Sequence, residues 1–429
     1  MKITFCLGLF IIGMMPCVAR ADMYAALQSV YDSNPVISES RAAVDGANAD
    51  LDLARTGSRP YLGVNANAGL ARSKVFDQTF DTTPTEFGAT FQQNIFQGFS
   101  TIAKIKGAKS NLAASTASLY ATQQSVFLDA INAYINVLNA QEVMDLSKNN
   151  QRVLQQYYDQ CVARQQVGAL TSTDVAQASA RLESAKYQTN NARAEYDNAI
   201  ETFKRIYGKD EKKYTDISLA RVQHLFPASV DSAEEYAIKH HPVLVALAAQ
   251  EAAARESITV ARASRLPSVD VKASAMQIND IPIADKLRDG RVGVYVSLPL
   301  YDRGTASANV DKVRSTVAGI QNRAIDMRRI IIEQLHQAWN TYDAQTYAIT
   351  AANATVDANK LALDGTRAEQ SRGRRTVLDV LNAEQELLNS RVALARARHG
   401  QVAAYFAVLA AMGQLSAENL GVVVADTDE

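Results

Sequence analysis

The second half of this chain repeats the first at a constant spacing of 205 residues. The residues that recur at this spacing keep the same order: Gly168 and Gly373, Thr171 and Thr376, Asp174 and Asp379, Gly208 and Gly413. Since a helix cannot absorb an insertion without rotating its buried face, the constant spacing indicates two copies of one helical unit. Upstream, Pro35 and Pro60 recur as Pro242 and Pro267 with an offset of 207, which places a variable loop between Pro60 and Gly88.

Residues 1–21 predict a signal peptide. Lys2 precedes an apolar run, and residues 19–21 (Ala-Arg-Ala) have the small-x-small pattern of a signal peptidase site, so the mature chain is expected to begin near Asp22. Export leaves one cysteine, Cys161, which we interpret as a small apolar residue on a helix. The 44 Lys and Arg residues nearly balance the 45 Asp and Glu residues, and this balance gives no reason to expect a nucleic-acid partner.

Downstream of the second proline in each copy, apolar and polar residues alternate with a period of two. This alternation predicts four strands of about ten residues, paired as hairpins at about 61–97 and 268–301, because successive side chains of a strand point to opposite faces. The polar stretches 74–86 and 278–289 predict loops, which hold the length difference between the copies.

Two long segments, 100–166 and 305–372, contain almost no glycine or proline and predict helices on the order of 100 Å long. In the first of them, small or apolar residues recur in steps of four and three, the spacing of a heptad seam: Leu112, Thr116, Leu119, Gln123, Val126, Ala130, Ala133, Val137, Ala140 and Met144. A glycine turn and a return helix then complete helical hairpins at about 100–207 and 305–412.

These patterns divide the mature chain into two structural repeats, residues 22–208 and 231–413. Each repeat holds short helices, a β-hairpin and a long helical hairpin. The segments 209–230 and 414–429 follow equivalent points of the two repeats. We expect them to lie side by side, the first as an equatorial linker and the second as a C-terminal equatorial segment.

The predicted strands suit a tilted crossing of a lipid bilayer, because each has one apolar and one polar face. Half-buried hairpins in a soluble sheet would show the same alternation. Export of the chain and the consistently polar composition of the second face favour membrane strands. Since four strands are too few to close a barrel and an open edge in lipid leaves backbone groups unpaired, the chain must oligomerise, and two, three or four copies would each allow closure.

Several motifs resemble the TolC family of outer-membrane factors over essentially the whole mature chain. They are Asn34-Pro35, Asn94 to Gly98, Asp129 to Tyr134, Val167-Gly168, Thr173 to Ala178 and His241-Pro242. The resemblance implies an α+β membrane protein in which three chains form a twelve-stranded outer-membrane β-barrel, continued into the periplasm by a long antiparallel helical barrel with a mixed equatorial region. It implies a homotrimeric exit duct for tripartite efflux or type I secretion, without a cofactor. The implied partners are outer-membrane lipid, a periplasmic adaptor (membrane fusion protein) and an inner-membrane transporter of the RND or ABC type.

The same resemblance implies a gate at the periplasmic end of the helical barrel. By this resemblance Asp379 belongs to an acidic ring, and Asn382 stands where some members have a second aspartate. Arg375 is the implied tether to Thr173 and Asp174, and Gln370 replaces a tethering tyrosine. Three copies of one aspartate around a threefold axis would attract cations to the constriction. The implied adaptor-docking tips are Val167, Gly168, Ala169, Gly373 and Arg374, with Ala169 standing where a leucine is common.

A purely local role competes with gating at the two aspartates. Thr171 to Asp174 and Thr376 to Asp379 both have the capping-box spacing, in which the aspartate binds free backbone N–H groups at the start of a helix. We interpret Asp174 as a cap, and for Asp379 both roles stay open because they are compatible. The arginines around Gly373 likewise form either a solvated tip or part of the gate and docking site.

No motif in the mature chain points to catalysis or to metal binding. Its histidines do not have HExxH spacing: His224, His240, His241, His336 and His399. A glycine-rich phosphate loop, a nucleophile elbow and a paired carboxylate motif are also absent from the sequence. The alternative to a channel is a soluble periplasmic coiled-coil scaffold or adaptor, which would lack the two-sided alternation of residues 292–300.

Overall fold

The computed structural model describes residues 23–209, 214–282 and 284–423. The predicted signal peptide lies outside these residues. The helices and strands follow one another in the order α1 (Met23–Ser33), α2 (Pro35–Thr56), β1 (Tyr61–Ala68), β2 (Ala71–Val75), β3 (Gln78–Thr82), β4 (Thr85–Gln97), α3 (Ser100–Gln166), α4 (Ser172–Tyr207), α5 (Val230–His240), α6 (Pro242–Ala263), β5 (Ser268–Ile281), β6 (Ala284–Ser297), α7 (Thr305–Ser371), α8 (Val377–Met412) and α9 (Ala417–Leu420).

The bounds of the long helices reproduce the repeat in the sequence. Helices α3 and α7 each have 67 residues, and the return helices α4 and α8 each have 36. Each of these helices in the second copy begins and ends 205 positions after its counterpart in the first. A helix of 67 residues is about 100 Å long, as the sequence predicted. Among the described helices, none combines the length and the hydrophobicity needed to cross a membrane.

The four longest strands form one antiparallel sheet in the order β1-β4-β5-β6. Residues that lie opposite one another on adjacent strands form rows that are either apolar or made of polar residues and glycine. One apolar row contains Leu62, Phe91, Ala273 and Val292, and the polar row beside it contains Gly63, Thr90, Ser274 and Arg291. Leu62 is 73% exposed, Phe91 37% and Val292 83%, so the apolar face is largely uncovered within the described chain.

Both edges of this sheet are open in the described chain. Strand β1 pairs with β4 alone, and β6 pairs with β5 alone. Each outer edge therefore presents a row of backbone N–H and C=O groups that a further strand can bind.

The prediction of polar loops at 74–86 and 278–289 is wrong. Strands β2 and β3 form a separate hairpin within the first stretch, and β5 and β6 extend through most of the second. The turn between β2 and β3 is made by Phe76 and Asp77, with φ of 48° and 69°. Two-residue hairpin turns of this kind usually carry Asn-Gly or Asp-Gly, so Phe76-Asp77 contains no recognisable turn signal.

The large aromatic side chains are concentrated in one core formed by α1, α3, α4, α8 and the segments at their ends. Its nearly fully buried rings are Phe127, Tyr134, Phe203, Tyr207 and Phe406.

Seven of the ten seam residues predicted on α3, from Gln123 to Met144, are buried, and the three before them are half-buried. Arg221 donates a hydrogen bond to the carbonyl of Leu420, 3.3 Å away, so the described parts of the linker and the C-terminal segment contact each other.

Candidate functional site at the helical tips

Each long helical hairpin ends in the same glycine turn. After α3 the backbone N–H groups of Gly168 and Ala169 donate to carbonyls of the last helical turn, both at 2.9 Å. After α7 the N–H groups of Gly373 and Arg374 make the equivalent bonds at 3.0 and 2.9 Å. The φ angles of Gly168 and Gly373, 77° and 75°, lie in the left-handed region that glycine adopts without strain. We call residues 164–174 the first tip and residues 369–379 the second tip.

A complete capping box begins each return helix. At the first tip, the N–H and hydroxyl of Thr171 donate to Asp174 at 3.0 and 2.7 Å, and the N–H of Asp174 donates back at 3.2 Å. At the second tip, Thr376 and Asp379 make the same three bonds at 2.9, 2.8 and 3.2 Å. The capping interpretation is therefore confirmed for both aspartates.

The Asp379 carboxylate is held in its charged form. The backbone N–H of Thr376, followed by its hydroxyl, lowers the pKa of Asp379 below the usual range, and the nearby Arg375 lowers it further. A carboxylate can bind a helix N-terminus and still present its charge to solvent, so the capping role leaves the gating role available.

Arg375 forms an ion pair within the second tip. Its Nε donates to the Glu369 carboxylate at 2.9 Å, and the two side chains are 53% and 50% exposed. Gln370, which is half-buried, supplies a backbone carbonyl to the glycine turn. The predicted link from Arg375 to Thr173 and Asp174 is not among the contacts described within one chain, and it stays a prediction for contacts between chains.

Asn382 lies next to the first helical hairpin, where Arg181 of α4 donates to its side-chain oxygen at 2.7 Å. Beside this bond, the first turns of α8 are buried: Val377 is 2% exposed and Leu381 is 1% exposed. They pack against small and apolar residues of α3 and α4: Leu154, Cys161, Ala178, Leu182 and Ala185. Burial also raises the pKa of the Cys161 thiol, in keeping with its predicted role as an apolar helix residue.

The second hairpin also holds a buried ion pair. Glu384 of α8 is 7% exposed and pairs with Arg367 of α7. A carboxylate that loses water needs such a partner, because its charge would otherwise be uncompensated in a medium of low dielectric constant. The positions equivalent by the repeat are Val162 and Ser179, so the first hairpin has no counterpart of this pair.

The remaining candidate residues lie on the surface of the tips. Val167 is 79% exposed, and Gly168, Ala169, Gly373 and Arg374 are exposed as well. The predicted glycine turns do join the long helices of each hairpin, and the docking role of these residues stays a prediction. The sequence did not predict the Arg181 to Asn382 bond because residues 201 positions apart on different helices produce no spacing signal.

The sequence profile of the family described as outer membrane efflux protein matches residues 26–209 and 235–414. The chain is 30% identical over 403 residues to the outer membrane efflux protein BepC of Brucella suis, a match that covers 93% of this chain and 87% of BepC. It is 24% identical over 428 residues to the outer membrane protein TolC of Escherichia coli, covering 96% of this chain and 86% of TolC.

Among solved structures, the fold is similar to the CmeC outer membrane channel of Campylobacter jejuni. The TM-score is 0.83 at 18% identity, and the match covers 92% of this chain and 86% of CmeC. These matches do not favour a soluble periplasmic scaffold. The chain belongs to the outer membrane efflux protein family and is an exit duct of the outer membrane with a helical extension into the periplasm, not an enzyme.

Proposed function

We propose that three copies of this chain close a twelve-stranded barrel in the outer membrane and a helical barrel below it. The observation that carries the proposal is the four-stranded sheet, whose apolar face is exposed and whose edge strands β1 and β6 are open in the described chain. Each unsatisfied backbone group in lipid costs several kcal/mol. Strand β6 of one copy therefore pairs with β1 of the next, and the apolar face contacts lipid acyl chains.

In this assembly the chain is a passive conduit. The four long helices of each copy form the walls of the periplasmic tunnel, and the two tips of each copy lie at its lower end. A periplasmic adaptor binds near the tips, and an inner-membrane transporter of the RND or ABC type supplies the energy for export. The support for these partners is the family of the chain and the likeness to TolC.

The second tip is the gate in this proposal. Three copies of Asp379, each held ionised by its capping bonds, form one acidic ring at the constriction. Asn382, which binds Arg181, adds no second ring of charge. Contacts of Arg375 with Thr173 and Asp174 of a neighbouring copy hold the closed state.

Reconstitution of the purified protein in planar lipid bilayers tests the pore. We expect discrete conductance steps that prefer cations, and chemical cross-linking in detergent is expected to give trimers. A detergent-soluble trimer that never inserts into lipid or conducts ions would contradict the proposal.

The acidic ring can be tested with Asp379→Asn. Asparagine keeps an oxygen that accepts the Thr376 hydrogen bonds and removes one charge per copy, so we expect block of the pore by trivalent cations to weaken by about tenfold. The measurement is the concentration of blocking cation that halves the single-channel current. Asp174→Asn removes the same kind of capping charge from the first tip, where it weakens the contact with Arg375 but not the ring, and is expected to have a smaller effect on cation block. Equal effects of the two variants would show that Asp379 does not define the ring.

A further inference from the structure

The two tips share one backbone geometry but differ in chemistry. The three equivalent pairs around the turn glycines are Val167 and Arg372, Ala169 and Arg374, and Leu170 and Arg375. The first tip has no charged side chain between Gln165 and Thr173, whereas the second tip places three arginines within four positions. Because the glycine φ angles and turn hydrogen bonds are nearly identical, the tips differ in the side chains that they present.

Two of the three arginines keep their charge uncompensated. Arg375 is paired with Glu369 at 2.9 Å. Arg372 and Arg374 are exposed, and neither makes an ion pair within the described residues. Apart from the adjacent residues, no described atom lies within 4 Å of a Cβ position built on Gly168 or Gly373, so both turns are open there. The second tip is thus an open, basic surface.

We propose that the second tip docks a protein partner whose contacting surface is acidic, whereas the first tip docks an uncharged surface. The inference rests on the proposed function, in which the tips face a periplasmic partner. Guanidinium groups bind carboxylates through two parallel hydrogen bonds, and close approach of these like charges is relieved when a carboxylate lies between them. Around three copies, neutral and basic tips alternate, so the partner needs acidic groups at every second docking position.

Binding of synthetic helical hairpins to the full protein in detergent tests this inference. Three disulfide-closed hairpins are identical except at the turn, which carries two glutamates, two glutamines or two lysines. We expect the glutamate hairpin to bind about tenfold more tightly than the other two, and to weaken as salt rises from low to physiological concentration. The measurement is the dissociation constant by biosensor.

Variants identify the surface that is responsible. Arg372→Gln combined with Arg374→Gln is expected to reduce glutamate-hairpin binding to the level of the glutamine hairpin. Arg323→Gln combined with Arg328→Gln removes the same charge from exposed positions on α7 and is expected to leave binding unchanged. Equal binding of all three hairpins, or equal effects of the two double variants, would overturn the inference. A preference for phosphatidylglycerol vesicles over the glutamate hairpin would overturn it too, by identifying a lipid surface instead.

The conductance of the same preparation separates the two proposals. A protein that conducts in planar bilayers but shows no preference for the glutamate hairpin contradicts the docking inference alone. A protein that never conducts contradicts the proposed duct, whatever the hairpins do.

Discussion

Gly413→Ala is expected to destabilise the protein by about 3 kcal/mol, against about 1 kcal/mol for Gly208→Ala. Both glycines end a return helix with φ in the left-handed region, 82° and 70°, where a Cβ costs about 1 kcal/mol. Their surroundings differ. A Cβ at Gly413 would lie 2.9 Å from both the Cα of His241 and the Cδ of Pro242, whereas at Gly208 no described atom lies within 4 Å. Relief of the contact requires the backbone between α5 and α6 to move, which adds about 2 kcal/mol.

Thermal unfolding of the detergent-solubilised protein, followed by circular dichroism, measures this difference. Gly208→Ala is the matched control, because it carries the same backbone strain at the equivalent position of the first copy. Equal losses of melting temperature in the two variants would contradict the packing argument and leave the backbone strain as the common cause.

Acidification is expected to destabilise the protein by about 3 kcal/mol through one buried residue, His241. This side chain is 7% exposed, and its Nδ1 accepts the N–H of Val243 at 3.3 Å to cap α6. Burial lowers the pKa of His241 to about 4, against about 6.5 in an unfolded chain. Below pH 6.5 the histidine is protonated in the unfolded chain but stays neutral in the folded chain. The stability that the protein gains from a neutral His241 is therefore complete above pH 6.5 and is lost as the pH falls towards 4.

The repeat provides the matched variant for this test. Asn34 occupies the equivalent position and caps α2 by accepting the N–H of Val36 at 2.9 Å. We expect His241→Asn to keep the cap, because asparagine is a favourable N-cap residue, and to remove the histidine titration. Carboxylates also titrate in this range, so the informative quantity is the wild-type melting temperature minus that of the variant at each pH. A difference that stays constant from pH 7 to pH 4.5 would contradict the role of His241.

The elements that the sequence predicted well depend on local signals. The glycine turns and capping boxes are set by residues three to six positions apart, so Gly373 and the Thr376 to Asp379 spacing were sufficient to place the second tip. The long helices follow from sustained periodicity and from the scarcity of proline. Strand alternation predicted four strands paired as two hairpins, because one face of each strand had to be apolar throughout, and the structure joins the two hairpins into one sheet.

The elements that the sequence did not predict depend on contacts between distant segments or on unusual backbone. Arg181 and Asn382 lie on different helical hairpins, and whether their side chains meet depends on how the helices pack. The pairing of Arg367 with Glu384 was missed for a similar reason, since a glycine turn separates them. The β2–β3 turn was missed because Phe76 at φ 48° does not follow the usual residue preference for that conformation.

Because strands β1 and β6 have open edges, insertion of the sheet into a membrane depends on assembly. A single chain has an apolar sheet face that favours lipid and two unpaired backbone edges that lipid excludes, so it has no stable position inside the membrane by itself. In the proposed trimer other copies cover both edges, so we expect insertion to become favourable only with assembly and the inserted fraction to rise steeply with the concentration of the chain. In the proposed twelve-stranded barrel, an incomplete ring would leave unpaired strand edges in lipid, so the same requirement would protect the outer membrane from half-formed pores that leak.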